Sequence, residues 1–232
     1  MCGIAGLIHR GKTSNVGSEL QQMLQALKHR GPDSTGYALY ADNDGKNFIL
    51  RFKVGENVGE GSSSVNEDAS VYDERKKLVD QMLNTLGAKI IKEDRLTPYS
   101  FRYEMEYDKD LMEFSKKIES IENVEILSIG KSLELIKDLG DAKVVSERYG
   151  LGDLKGTHAI GHARMATESG VDIKSAHPFW GYPFSDVSVV HNGQLTNYWN
   201  NSRKNEEWSY IRRGYERLIK RFRWSFYLFC CN

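Results

Sequence analysis

The chain has 232 residues, enough for one large domain or two small ones and for a sizeable core without disulfide or metal staples. Apolar residues make up 40% and charged residues 28%, which excludes the disordered, collagenous and disulfide-scaffold classes. Lys and Arg total 32 against 32 Asp and Glu, so the zero net charge speaks against nucleic acid or a charged membrane as the main partner. Residues 3–9 read as a short buried strand bounded by glycine. Ser18 is expected to open a helix, with Gln21 as its capping-box partner and Leu20, Met23, Leu24 and Leu27 as its apolar stripe; Gly31-Pro32 ends it. Tyr37–Tyr40 and Phe48–Val54 read as strands of a hairpin turning through Asp42-Asn43-Asp44-Gly45.

Composition shifts at Gly55, and residues 55–70 read as a Gly/Ser/Glu surface loop. Residues 73–86 are expected to be helical through Leu78, Met82 and Leu86. Tyr99–Tyr107 alternates as a strand, 109–121 reads as a helix, Val124–Ile129 as a strand and 131–139 as a short helix. This alternation predicts a small α+β insert over 55–156. Thr157–Ala163 and Val187–Val190 then read as buried strands, each ending in a polar cluster, where a rigid sheet positions groups that loops expose.

Those clusters supply the candidate chemistry. Cys2, once Met1 is removed, carries both a thiol and a free α-amine whose ordinary pKa of about 7.7–8.0 leaves part of it a neutral base at pH 7. The same residue also reads as a small apolar chain start. Arg164 offers a planar fork for a carboxylate, or a surface ion pair. Asn192-Gly193 reads as a hairpin turn or as an oxyanion cradle of one side-chain and one backbone amide. Arg30, in His29-Arg30-Gly31-Pro32-Asp33-Ser34, reads as a cation at a helix C-terminus or as part of a site. His158 and His162 are four apart, but on a strand and without the Glu of a zinc helix, so no metal is expected. Gly150, Gly152 and Gly156 do not fit the dinucleotide fingerprint, and no cofactor is expected.

Four motifs in order, Met1-Cys2-Gly3-Ile4-Ala5-Gly6, His29 to Ser34, Gly161-His162-Ala163-Arg164-Met165-Ala166-Thr167 and His191-Asn192-Gly193-Gln194-Leu195-Thr196-Asn197, resemble the class II glutamine amidotransferases of the N-terminal-nucleophile hydrolases. The resemblance covers residues 2–54 and 157–200. It implies an α+β fold, an αββα sandwich, and hydrolysis of glutamine to glutamate and ammonia through a thioester on Cys2. By motif, Arg164 and Thr167 resemble the pair that holds the glutamine α-carboxylate. Asn192 and Gly193 resemble the oxyanion hole, and Arg30 a supporting residue. Ala176-His177-Pro178-Phe179 and the large insert look most like a glutamate synthase-type amidotransferase subunit, which would pass ammonia to a separate synthase. An amidophosphoribosyltransferase-like glutaminase is the alternative, and a non-catalytic partner-binding or glutamine-sensing relative another.

The tail departs from this pattern. The family's acidic residue for the glutamine α-amino group is missing, since no Asp follows Asp186. Residues 203–223 hold eight Lys/Arg and three Glu, and three of the four Trp lie in 198–232. Such a foreign composition is expected of a frameshift near residue 200, leaving an incomplete domain. Two other readings stand beside it: a divergent end in which Glu206, Glu207 or Glu216 supplies the carboxylate, and a basic-aromatic arm for RNA or an anionic surface. The cysteines, Cys2, Cys230 and Cys231, make no disulfide framework, and MCGIAGLIHRGK lacks the basic region and cleavage site of a signal peptide, so a cytoplasmic protein is expected.

Overall fold

The structure, a computed structural model, describes residues 2–42, 45–55, 69–165, 173 and 176–192. The predicted tail at 201–232 lies outside the described residues, as does most of the 55–70 loop. Two four-stranded antiparallel sheets dominate, in keeping with the expected α+β class. The first is built from β1 (Gly3–Ile8), β2 (Ser34–Ala41), β7 (Leu133–Leu139) and β8 (Gly156–Arg164), in the order β1-β8-β2-β7. The second comprises β3 (Phe48–Lys53), β4 (Lys89–Thr97), β5 (Ser100–Glu106) and β6 (Glu125–Gly130), in the order β4-β5-β3-β6. A short ribbon of β9 (Phe179–Trp180) and β10 (Ser188–Val189) completes the strands.

Helix α1 (Val16–Ala26) opens two residues earlier than the sequence suggests. Asn15, not Ser18, is the N-cap, its side chain accepting from the Ser18 amide at 3.5 Å. Val16, Leu20 and Leu24 are fully buried, while Met23 of the expected stripe is 40% exposed. With α4 (Ala142–Tyr149), α1 covers Tyr37, Leu39, Ile136 and Ala159 of the first sheet. Of the expected stripe of helix α2 (Ala69–Leu86), Met82 and Leu86 pack partly buried against the core, while Leu78 does not. Tyr72, Val79 and Leu83 are buried and Leu78 is exposed. Together with Phe114 and Ile118 of α3 (Leu111–Ile118), Val79 and Leu83 pack in one cluster with Leu50, Phe52, Phe101 and Tyr103 of the second sheet. That cluster also takes in Ala38, Tyr40, Leu133, Leu135 and Ile160 of the first sheet.

Two expectations are corrected. First, β2 and β3 do not form a hairpin: β2 pairs with β7 and β8, β3 with β5 and β6, so the two strands lie in different sheets. Second, residues 133–139 are a strand, not a helix. All seven are buried, and a strand covered on both faces loses the alternation that would reveal it. The expected α+β insert over 55–156 contributes strands to both sheets. Its β7 pairs with β2 in the first sheet, while β4, β5 and β6 join β3 in the second. Strand β4 was not anticipated, being largely exposed and charged along its length.

The two sheets also meet through buried charge. Glu134 of β7 accepts from Arg51 Nε of β3 at 2.9 Å and from Arg102 Nε of β5 at 2.9 Å. Burial alone would raise the Glu134 carboxyl; Arg51 and Arg102 outweigh it and hold the group below its ordinary pKa. Asp138 of β7 accepts from Tyr99 at 2.6 Å, Arg148 at 2.9 Å and Tyr149 at 3.0 Å, joining the β4–β5 turn to α4. Among the described residues no helix is long and apolar enough to cross a membrane.

Candidate active site

The site forms where β1 begins and β8 ends. Gly3 pairs with Ala163, so continuing the register sets Cys2 opposite Arg164. Alternation fixes the faces. An added Cβ on Gly161 would meet Leu24 of α1 at 2.6 Å, so Gly161 and Ala163 face the helix and His162 and Arg164 face away from it. Cys2 is half-buried, with Sγ 3.9 Å from the Met165 carbonyl oxygen. Asn192 closes over it from the other direction, its Nδ2 donating to the Cys2 carbonyl oxygen at 3.0 Å. A primary amide carries two N–H groups, so one can hold the Cys2 backbone while the second remains for a developing negative charge.

Arg164 is buried, and its carbonyl oxygen accepts from the Asp33 amide at 3.2 Å. Arg30 itself is exposed at the end of a 3-10 turn. What its motif contributes here is Gly31. A Cβ there would lie 2.5 Å from the Arg164 carbonyl carbon, so only glycine lets this segment press against the end of β8. Thr167 and Gly193 lie outside the described residues.

No family model matches the chain. A protein of Methanothermobacter thermautotrophicus named "Putative glutamine amidotransferase" is 40% identical over 212 residues, 86% of this chain and 63% of that protein. The "Glutamine amidotransferase-like protein GlxB" of Rhizobium meliloti is 31% identical over 214 residues, 88% of this chain and 62% of its own length. A shorter match, 40% over 73 residues, reaches 31% of this chain and 13% of amidophosphoribosyltransferase 2 of Arabidopsis thaliana. The chain belongs to the class II glutamine amidotransferases. It spans less than two thirds of the two longer-matching relatives.

The histidines that the sequence offered only as unlikely metal ligands take other places. His158 and His162 share one face of β8, but four strand residues separate them by roughly 13 Å, too far for one ion. Among the described residues no group of three or more His, Cys, Asp or Glu could hold a metal. His158 stacks on Tyr40, ring centroids 4.0 Å apart. His162, fully buried, packs at 4.8 Å against His177. Burial, and then the Arg164 charge, push His162 down to about 4, and burial with neighbouring His162 and Lys137 pushes His177 well below its ordinary value. Both rings are neutral at pH 7. The sequence reading also passed over Gly36, whose added Cβ would lie 2.0 Å from the His177 carbonyl oxygen. No local signal marks Gly36, because it matters through a contact distant in the chain.

Proposed function

We propose that this chain is a glutaminase module that hydrolyses glutamine to glutamate and ammonia. Cys2 is the nucleophile once Met1 has been removed. Its α-amine takes the thiol proton, and the thiolate attacks the side-chain amide carbon of glutamine. Negative charge develops on the amide oxygen, where the second Asn192 N–H and the Gly193 backbone amide stabilise it. The α-ammonium returns its proton to the leaving nitrogen, the C–N bond breaks, and ammonia departs, leaving a thioester. Water, deprotonated by the same amine, releases glutamate and restores the thiol. Arg164, with Thr167, binds the substrate α-carboxylate, and Arg30 supports that end of the site. The two sheets and their four helices are read as an αββα sandwich.

The observation that carries this reading is the 3.0 Å bond from Asn192 to the Cys2 backbone, at the strand end that also presents Arg164. Ammonia is proposed to pass to a separate synthase of the glutamate synthase type. The partial matches to amidophosphoribosyltransferase favour, as a second reading, an amidophosphoribosyltransferase-like acceptor. The test is glutamate release from glutamine by the purified chain beside Cys2→Ala, with intact mass to establish whether Met1 is gone. Turnover abolished by Cys2→Ala supports the proposal. A chain that has lost Met1 and binds glutamine without turnover is instead a glutamine-sensing relative.

A further inference from the structure

The ribbon β9–β10 ends where the candidate nucleophile begins. Val189 pairs with Phe179 and Ser188 with Trp180. Continuing this register outward sets His191 across from His177 and makes Asn192 the next residue to leave the ribbon. The rings agree with this placement: His177 and His191 centroids are 6.4 Å apart. On its other side His177 packs against His162 of β8 at 4.8 Å and meets Phe179 edge-on at 4.5 Å. Lys137 of β7 lies 4.9 Å from the Phe179 ring. Below, the His177 backbone rests on Gly36 of β2, where no side chain could fit. Thus the ribbon is seated on the first sheet through His177, and the Asn192 amide reaches Cys2 from its end.

We propose that His177 is a positioning residue, the central ring of a His162–His177–His191 stack that holds Asn192 against the Cys2 backbone. It acts through Asn192 and need not touch substrate. The charged and titratable groups around it are His162, His191, Lys137 and Arg164. With two cations among these neighbours, a neutral ring is the form that packs. The inference rests on the glutaminase reading only for its catalytic consequence; the clamp itself is a statement about Cys2 and Asn192.

The experiment is a double-mutant cycle on the full chain: wild type, His177→Ala, Asn192→Ala and both together. The readout is the rate at which iodoacetamide alkylates Cys2, followed by peptide mass so that Cys230 and Cys231 do not contribute. Each single variant is expected to speed alkylation about fivefold, and the double variant to match Asn192→Ala alone. His177→Phe, which keeps a neutral ring, should stay within about twofold of wild type. If His177→Ala fails to fold by circular dichroism, His177→Leu carries the same cycle. Accelerations that multiply in the double variant, an unchanged rate in His177→Ala, or a His177→Phe effect as large as that of the alanine overturns the proposal. A wild-type chain that never turns over glutamine sinks the glutaminase reading alone, because the alkylation cycle still decides the clamp.

Discussion

Gly36→Ala tests whether the ribbon's seat on β2 controls the site. The new Cβ would lie 2.0 Å from the His177 carbonyl oxygen, 2.7 Å from Pro178 Cδ and 2.8 Å from the His177 carbonyl carbon. Two of these three are backbone atoms, so no rotamer change relieves the clash; the 177–178 segment must lift by more than about 1 Å. β2 cannot yield instead, since Thr35 and Tyr37 on either side are paired to both β7 and β8. Overpacking of this kind costs about 1–3 kcal/mol. Lifting the segment also withdraws His177 from His162, and with it the support of Asn192. Urea denaturation should therefore place Gly36→Ala about 2 kcal/mol below wild type, with Cys2 alkylation accelerated. Gly152→Ala is the control: its added Cβ meets nothing within 4 Å, and its stability should lie within about 0.5 kcal/mol of wild type. A Gly36→Ala protein as stable as that control, with Cys2 reactivity unchanged, would refute the seating of 177–178 on β2.

Glu134→Ala removes the shared acceptor of Arg51 and Arg102 and leaves two cations between the sheets; a loss of about 3–5 kcal/mol in denaturation is expected. Asp186→Ala deletes the acceptor of the Lys131, Ser132 and Leu133 amides and should cost about 2 kcal/mol, with Asp186→Asn costing less; thermal melts separate the two. Acid should destabilise the fold early. A histidine whose folded pKa lies below its unfolded value takes up protons mainly in the unfolded chain. The contribution of His162 is therefore whole above about pH 6.5 and fades as pH falls towards 4, a loss of about 3 kcal/mol that His162→Phe should remove from a stability-against-pH curve.

The elements legible in the sequence were those with one covered face and the short apolar runs of β2 and β8. α1 declared itself through Leu20 and Leu24, and β5 through Phe101, Tyr103 and Met105 alternating with charged residues. β7 was illegible because Glu134, Lys137 and Asp138 interrupt its apolar run: all are buried, and Glu134 and Asp138 serve contacts to Arg51, Tyr99 and Tyr149 that no local period encodes. The site divides in the same way. Cys2, Arg164 and Asn192 could be picked out because each is a chemically marked residue at a strand end. Gly36 could not, because a glycine inside a strand acquires meaning only when β2 and the 177–178 segment touch; His177 stood in the 176–179 motif, but nothing local gave it a role.

The 55–156 stretch also makes contact with the ribbon that carries Asn192. The β6–β7 turn carries the chain from one sheet to the other, and Asp186 grips it through three backbone amides. Asp186 lies between β9 and β10, the two strands whose far end sets His191 and Asn192. Gly130 is the enabling residue, since a Cβ there would sit 2.5 Å from Asp186 Oδ1. A continuous set of contacts therefore runs from the β6–β7 turn through Asp186 and the ribbon to the Asn192 amide on Cys2. Replacing 69–130 by a short linker would remove one end of this set, and it should disturb Cys2 even though no residue deleted lies beside the sulfur.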